Sequence, residues 1–181
     1  VRDVDFNTDK GTLNKVNVSY RPSGKSQNYY FTSSEGYRRG GVNAVPTEGP
    51  LAEDIGWVPF ESDTVKNIEF GVKGTLADGT YYNLSYYMVD WDNPQLNTST
   101  PVNGYYAVVN GDTAQINGFD VEFSGSAGAI DWNVGYSNKN ARLSSDFYTP
   151  ADTPVLYARS GANLPGSPDH TFNLNLAHTS Y

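Results

Sequence analysis

Strict alternation of apolar and polar residues is the feature that most constrains the fold of this chain. Ile68, Phe70 and Val72 alternate with polar or small residues, and the same pattern recurs at 119–124 and 131–137. Successive side chains of a β-strand point to opposite faces, so this period of two predicts strands with one apolar and one polar face. The pattern fits two structures: a soluble sheet whose apolar face covers a core, or a membrane barrel that turns that face to lipid.

The composition predicts an all-β chain and excludes several functions. The chain has 181 residues, with 18 glycines, 10 prolines, no cysteine and a net charge of −8. An acidic chain repels phosphate, so we expect no nucleic-acid partner. The lack of cysteine excludes a disulfide framework and a thiolate metal site. No apolar run reaches the length that a transmembrane helix needs, a requirement that does not apply to the strands of a barrel.

The alternation predicts seven antiparallel strands in meander order. They cover about 13–21, 28–37, 65–76, 80–91, 114–124 (with a possible short piece at 105–109), 130–141 and 170–178. The second strand alternates weakly, and Asn117-Gly118 predicts a bulge in the fifth, because glycine tolerates the backbone angles of a bulge.

The predicted connections alternate between short and long. Short turns fall near 22–25, 77–79 and 125–128, and long loops near 38–64, 92–113 and 142–169. In an antiparallel meander this order places every short turn at one end of the sheet and every long loop at the other. Short turns on one side and long loops on the other are typical of outer-membrane barrels.

Five segments, in order, resemble motifs of TonB-dependent outer-membrane receptors. Residues 34–43, SEGYRRGGVN, resemble the family's "seGfRpGGvN" segment, and residues 60–74, FESDTVKNIEFGVKG, resemble its "f.sdtvknyElGlKg" strand. The other matching segments are 90–93, 109–123 and 162–170. The chain departs from the family's pattern at Arg39, where proline is usual, and at Asp169, where a basic residue is common.

The resemblance implies a bacterial outer-membrane barrel of about 22 strands, closed by an N-terminal plug domain. It implies active uptake of a scarce small-molecule ligand, such as an iron–siderophore complex, driven by TonB through the plug. Outer-membrane lipid would surround the barrel. We expect residues 1–181 to form an interior part of the barrel domain, without the plug or the C-terminal strands. The chain starts without a signal peptide, so it is either not exported or a piece of a longer protein.

Three residues near the first long loop are candidate ligand contacts. Arg38 and Arg39 could attract an anionic ligand, such as a ferric siderophore with carboxylates or catecholates. The alternative is a structural pair held by Glu35, Glu53 or Asp54. Trp57 could stack on a ligand, or it could pack within the loop.

The polar face carries carboxylates that could in principle be a catalytic acid and base. These are Glu69, Asp120, Glu122 and Asp131. In a barrel they would instead line the lumen, paired with Lys73, Lys15 or Arg21. His170 and His178 are too far apart along a strand to bind one metal ion. We therefore predict a transporter and not an enzyme, with no cofactor and no metal site.

Two alternatives from other classes stay open. A soluble β-sandwich, for example a carbohydrate-binding module, would bury Phe70, Phe123 and Trp132 against protein. An outer-membrane barrel with an enzyme site or a simple porin function would place catalytic carboxylates close together in the lumen, or leave the pore open.

Overall fold

The computed structural model describes residues 11–179 and shows an all-β chain. Seven antiparallel strands form one sheet in meander order, which confirms the predicted fold class. These strands are β1 (Lys15–Tyr20), β2 (Asn28–Arg38), β5 (Asp63–Thr75), β6 (Tyr81–Asp92), β9 (Thr113–Ala127), β10 (Ile130–Leu143) and β13 (His170–His178).

The long connections hold three small two-stranded sheets of their own. Their strands are β3 (Gly41–Val42) with β4 (Pro59–Phe60), β7 (Gln95–Ser99) with β8 (Tyr106–Asn110), and β11 (Phe147–Tyr148) with β12 (Leu156–Ala158). The piece predicted at 105–109 is therefore a strand, but it pairs within its own loop. A 3-10 turn lies at Ile55–Trp57. No helix within the described residues has both the length and the apolar character needed to cross a membrane.

The register confirms that the two faces of the main sheet differ as predicted. Directly opposed residues in antiparallel strands share a face. One row runs Phe31, Phe70, Tyr86 and Phe119, and the next runs Tyr29, Val72, Leu84 and Val121. Phe123 and Val134 are opposed in a further row. Glu69, Asp120 and Glu122 occupy the intervening rows and therefore point to the other face.

The apolar run shifts along the register from one edge of the sheet towards the other. On β5 it is centred on Phe70, within 68–72, and on β13 it is centred on Leu174, within 172–176. The row of Phe70 passes through Tyr86, Phe119 and Asn138 and reaches β13 at His170. The centre of the apolar run has therefore moved four residues along β13 relative to that row.

The apolar face of the sheet is not covered by the described part of the chain. Phe70 is 49% exposed, and Val18, Phe172 and Leu176 are more exposed still. This contradicts the soluble sandwich, in which Phe70 would lie in a core. The buried core lies elsewhere, among the long connections, and includes Trp57, Val109 and Phe147.

The predicted bulge at Asn117-Gly118 is wrong. Both residues pair in unbroken register with β6 and with β10. A Cβ atom at Gly118 would clash with the backbone oxygen of Asn138 and would lie 2.7 Å from the hydroxyl oxygen of Tyr87. The glycine is thus needed because other groups approach it closely, and not because of its backbone angles.

Candidate functional site

All three long connections leave the main sheet at the same end and pack on one another. We call residues 39–62, 93–112 and 144–169 together the loop unit. Trp57 from the first connection, Val109 from the second and Phe147 from the third belong to one buried cluster, which also contacts the sheet through Ala114 and Ala141. Since each connection contributes to this core, the loop unit is a packed structure and not three separate loops.

Trp57 lies at the centre of the loop unit with only 2% of its surface exposed. The 3-10 turn that carries it is capped by Asp54, whose carboxylate accepts a hydrogen bond from the backbone N–H of Gly56 at 2.8 Å. The side chain of Asn43 donates to the backbone oxygens of Trp57 and Val108 at 2.9 and 2.7 Å and accepts from the N–H of Val108 at 2.8 Å. This burial favours the loop-packing role of Trp57, while its contact with a ligand stays a prediction.

Asp63, the first residue of β5, ties two of the connections to the sheet. Its carboxylate is 1% exposed and accepts hydrogen bonds from the Arg38 guanidinium, from Trp91 Nε1 at 2.8 Å and from the backbone N–H of Gln95 at 3.1 Å. The donors come from the ends of β2 and β6 and from the start of β7. One carboxylate therefore joins the stems of the first and second connections.

The charge of Asp63 is stabilised where it lies. On the apolar face, the row of Lys66 and Asp90 is the first charged row beyond the apolar run. Asp63 lies three positions beyond Lys66 and therefore outside the apolar region. Burial alone would raise its pKa, but the hydrogen bonds from Arg38, Gln95 and Trp91 outweigh burial and hold the pKa below its usual value.

Arg38 forms a structural pair, but with a different partner from the three predicted. It binds Asp63, and its guanidinium carbon lies 5.1 Å from the centre of the Trp91 ring. Glu35 instead accepts hydrogen bonds from Asn14.

The other two predicted partners of Arg38 are also engaged elsewhere. Glu53 accepts hydrogen bonds from Thr100 and Asn103, and Asp54 caps the 3-10 turn.

The role of Asp63 was missed from the sequence, because no local pattern marks this residue. Its only sequence signal is its place in the segment 60–74.

Arg39 is exposed and lies beside this cluster. Within residues 11–179 its guanidinium makes no ion pair, whereas its backbone oxygen accepts a hydrogen bond from Gln95 Nε2 at 2.8 Å. The same amide group of Gln95 also donates to the backbone oxygen of Glu61 at 2.9 Å. The backbone at Arg39 is therefore fixed, and its side chain is exposed.

Three carboxylates of the polar face accept hydrogen bonds from neutral neighbours instead of pairing with the predicted lysines and arginine. Glu69 accepts from the Tyr30 hydroxyl at 2.7 Å, and Glu122 accepts from Asn133 at 2.8 Å. Asp131 accepts from the hydroxyl of Ser126 at 2.6 Å. The ion pairs predicted for this face are thus wrong within the described residues, where the only two ion pairs are Arg38–Asp63 and Arg142–Asp169.

Most of the chain's net negative charge lies in the loop unit. It contains eight carboxylates against the two guanidinium groups of Arg39 and Arg159, a net charge of −6 out of −8 for the whole chain. The carboxylates belong to Glu48, Glu53, Asp54, Glu61, Asp112, Asp146, Asp152 and Asp169. An acidic surface of this kind attracts cations and repels anions over distances of about a Debye length.

One comparison with known proteins gives a family. The family described as "TonB dependent receptor-like, beta-barrel" matches residues 2–181, nearly the whole chain. No curated protein matches the chain. The match agrees with the meander sheet, its uncovered apolar face and the long connections gathered at one end. The chain therefore belongs to the TonB-dependent receptor-like β-barrel family, whose members are transporters of the outer membrane.

Proposed function

We propose that this chain is an interior part of the barrel of an outer-membrane receptor that takes up a scarce ligand, such as a ferric siderophore, with energy from TonB. The observation that carries the proposal is the sidedness of the sheet. Phe70 and its neighbours present an uncovered apolar face, while Glu69 and Glu122 line the opposite face. An apolar face of this kind suits lipid, and a polar face suits the lumen of a plugged barrel.

In this proposal the loop unit faces the outside and holds the ligand. Its buried core and the contacts of Asp63 fix the positions of the connections before any ligand arrives. Preorganisation of this kind raises affinity, because less conformational entropy is lost on binding. The proposed ligand contact is the exposed side chain of Arg39, while Arg38 and Trp57 act by holding the surface in place.

The net charge of the loop unit bears on the choice of siderophore. A ferric tris-catecholate carries several negative charges and would be repelled by a surface of net charge −6. A ferric tris-hydroxamate of zero or positive charge would not be repelled. We therefore propose a hydroxamate-type complex, in which the Arg39 guanidinium contacts a hydroxamate oxygen.

Uptake of radioactive iron by cells that express the complete receptor tests the proposal. Cells with the receptor should accumulate iron from a ferric tris-hydroxamate. Deletion of TonB, or addition of a proton uncoupler, should abolish uptake while binding of the complex to the cell surface persists. Arg39→Gln should weaken binding several-fold. Arg21→Gln is the matched control, because it removes the same charge at the opposite end of the sheet. Uptake that does not change without TonB would refute the proposed function.

A further inference from the structure

The far end of the loop unit carries an exposed apolar surface. Leu51, Ile55, Val102 and Val155 are each more than half exposed, and Val102 reaches 74%. We call these four residues the loop tip. Aliphatic side chains exposed together on a packed surface are typical of an interaction site.

Hydrogen bonds join the first and second connections at the loop tip. Asn103 Nδ2 donates to the backbone oxygen of Leu51 at 3.1 Å, and the backbone N–H of Asn103 donates to the Glu53 carboxylate at 3.0 Å. These bonds join the turn that carries Val102 to the segment of Leu51.

A second set of contacts joins the first connection to the third. The N–H of Asp152 donates to the Asp54 carboxylate at 3.2 Å, next to Ile55. The backbone oxygen of Pro150 lies so close to Gly56 that it leaves no room for a Cβ atom there. Val155 is held to the same segment by two hydrogen bonds with Thr149, each 2.9 Å long. The loop tip is therefore one surface built from three connections.

The charge around the loop tip favours a cationic partner. Glu48 and Asp152 are exposed there, and Asp54 is partly exposed. The sequence has no lysine or arginine between residues 40 and 65 or between 74 and 138, so no basic side chain from these segments offsets the carboxylates. A partner that is complementary to this surface must carry both apolar groups and positive charge.

We propose that the loop tip is a docking surface for a cationic amphipathic peptide that reaches the receptor from outside the cell. Its apolar side chains pack on Val102 and Val155, and its lysines or arginines lie against Glu48 and Asp152. This site is separate from the proposed contact at Arg39, which lies at the base of the loop unit. The inference rests on the proposed function only in taking the loop unit to face outwards.

Cysteine labelling of the complete receptor in intact cells provides the test. The chain contains no cysteine, so Val102→Cys and Val155→Cys each introduce a single thiol into it. A membrane-impermeant maleimide should label both variants, with the unsubstituted receptor as the background. Val121→Cys, on the apolar face of the sheet, should stay unlabelled. Failure to label Val102→Cys would show that the loop tip is covered, and would overturn the inference.

Protection from labelling measures docking. The probes are a lysine- and leucine-containing amphipathic peptide and its counterpart in which glutamate replaces every lysine. The cationic peptide should slow labelling of Val102→Cys at least tenfold more than the anionic peptide, and 0.5 M NaCl should remove most of that difference. Equal protection by both peptides, or none by the cationic peptide, would overturn the inference.

Charge variants separate this surface from the rest of the receptor. Glu48→Gln combined with Asp152→Asn should weaken binding of the cationic peptide about fivefold or more, because two of the charges that face it are lost. Asp78→Asn combined with Asp131→Asn is the matched control, since it removes the same charge near the short turns at the other end of the sheet. An equal effect of the two pairs would contradict docking at the loop tip. If the receptor takes up iron but the peptide does not protect Val102→Cys from labelling, this inference alone is refuted. If the peptide protects but the receptor takes up no iron, the proposed function alone is refuted.

Discussion

Removal of the Asp63 carboxylate should loosen the loop unit without unfolding the sheet. In Asp63→Ala, Trp91 Nε1 and the N–H of Gln95 lose their acceptor, and each such loss costs about 1–3 kcal/mol when the donor stays away from water. Arg38 adds about 0–1 kcal/mol, because its side chain is half exposed and regains water. We expect a total of about 3 kcal/mol, because part of the donor surface becomes hydrated.

Hydrogen exchange of the amides in β7 and β8 provides the assay. A loss of about 3 kcal/mol in local opening free energy should speed exchange there by about 100-fold, while amides in the centre of β9 exchange as before. Asp90→Asn is the matched control, because Asp90 is exposed and its carboxylate accepts a hydrogen bond from the side chain of Gln115. Exchange in β7 and β8 that changes less than threefold in Asp63→Ala would refute the view that Asp63 fixes the connections.

Three further predictions test the faces of the sheet and the charge of Asp63. Val121→Arg should cost about 2–4 kcal/mol in folding titrations of the complete receptor into lipid vesicles, whereas Glu122→Gln should cost far less; equal costs would contradict a lipid-facing Val121. Gly118→Ala should lower the free energy of unfolding in urea by about 1–3 kcal/mol, because the new methyl group meets the backbone of Asn138; an unchanged urea midpoint would show that the strands can separate there. Because its pKa is lowered in the folded protein, Asp63 should stabilise the loop unit fully above the unfolded carboxyl pKa of about 3.9 and lose this effect as the pH falls below it. Tryptophan fluorescence should therefore be constant from pH 8 to 5 and change below about pH 4, and a transition near pH 6 would exclude Asp63 as its origin.

The strands could be predicted from the sequence wherever apolar and polar side chains alternate along the chain. The alternation around Phe70, Val121 and Leu174 gives the bounds of β5, β9 and β13 to within three residues. The weak alternation of β2 also has a physical cause. Tyr30 points to the polar face, where its ring fills the space above Gly71 and its hydroxyl binds Glu69, so an aromatic residue occupies a polar position.

The loop unit could not be predicted in the same way, because its order comes from contacts between distant residues. The strands β3, β4, β11 and β12 have only two or three residues each, too few for a period to appear. They form because the connections that carry them pack around Trp57. Likewise, the donors to Asp63 come from residues that lie 25 to 32 positions away, and no local pattern reports them.

The four-residue shift of the apolar run between β5 and β13 gives the slope of the strands. Four residues span about 14 Å along a strand, and the four steps from β5 to β13 span about 19 Å across the sheet. If the apolar run follows the bilayer, the strands cross it at about 35° from its normal, within the range that closed barrels adopt. Residues at equal depth then lie one position nearer the short turns on each successive strand from β5 to β13. Leu174, and not its row partner His170, thus shares the depth of Phe70, and the 13 residues of β5 are enough to cross the bilayer obliquely and still emerge beyond it at Asp63.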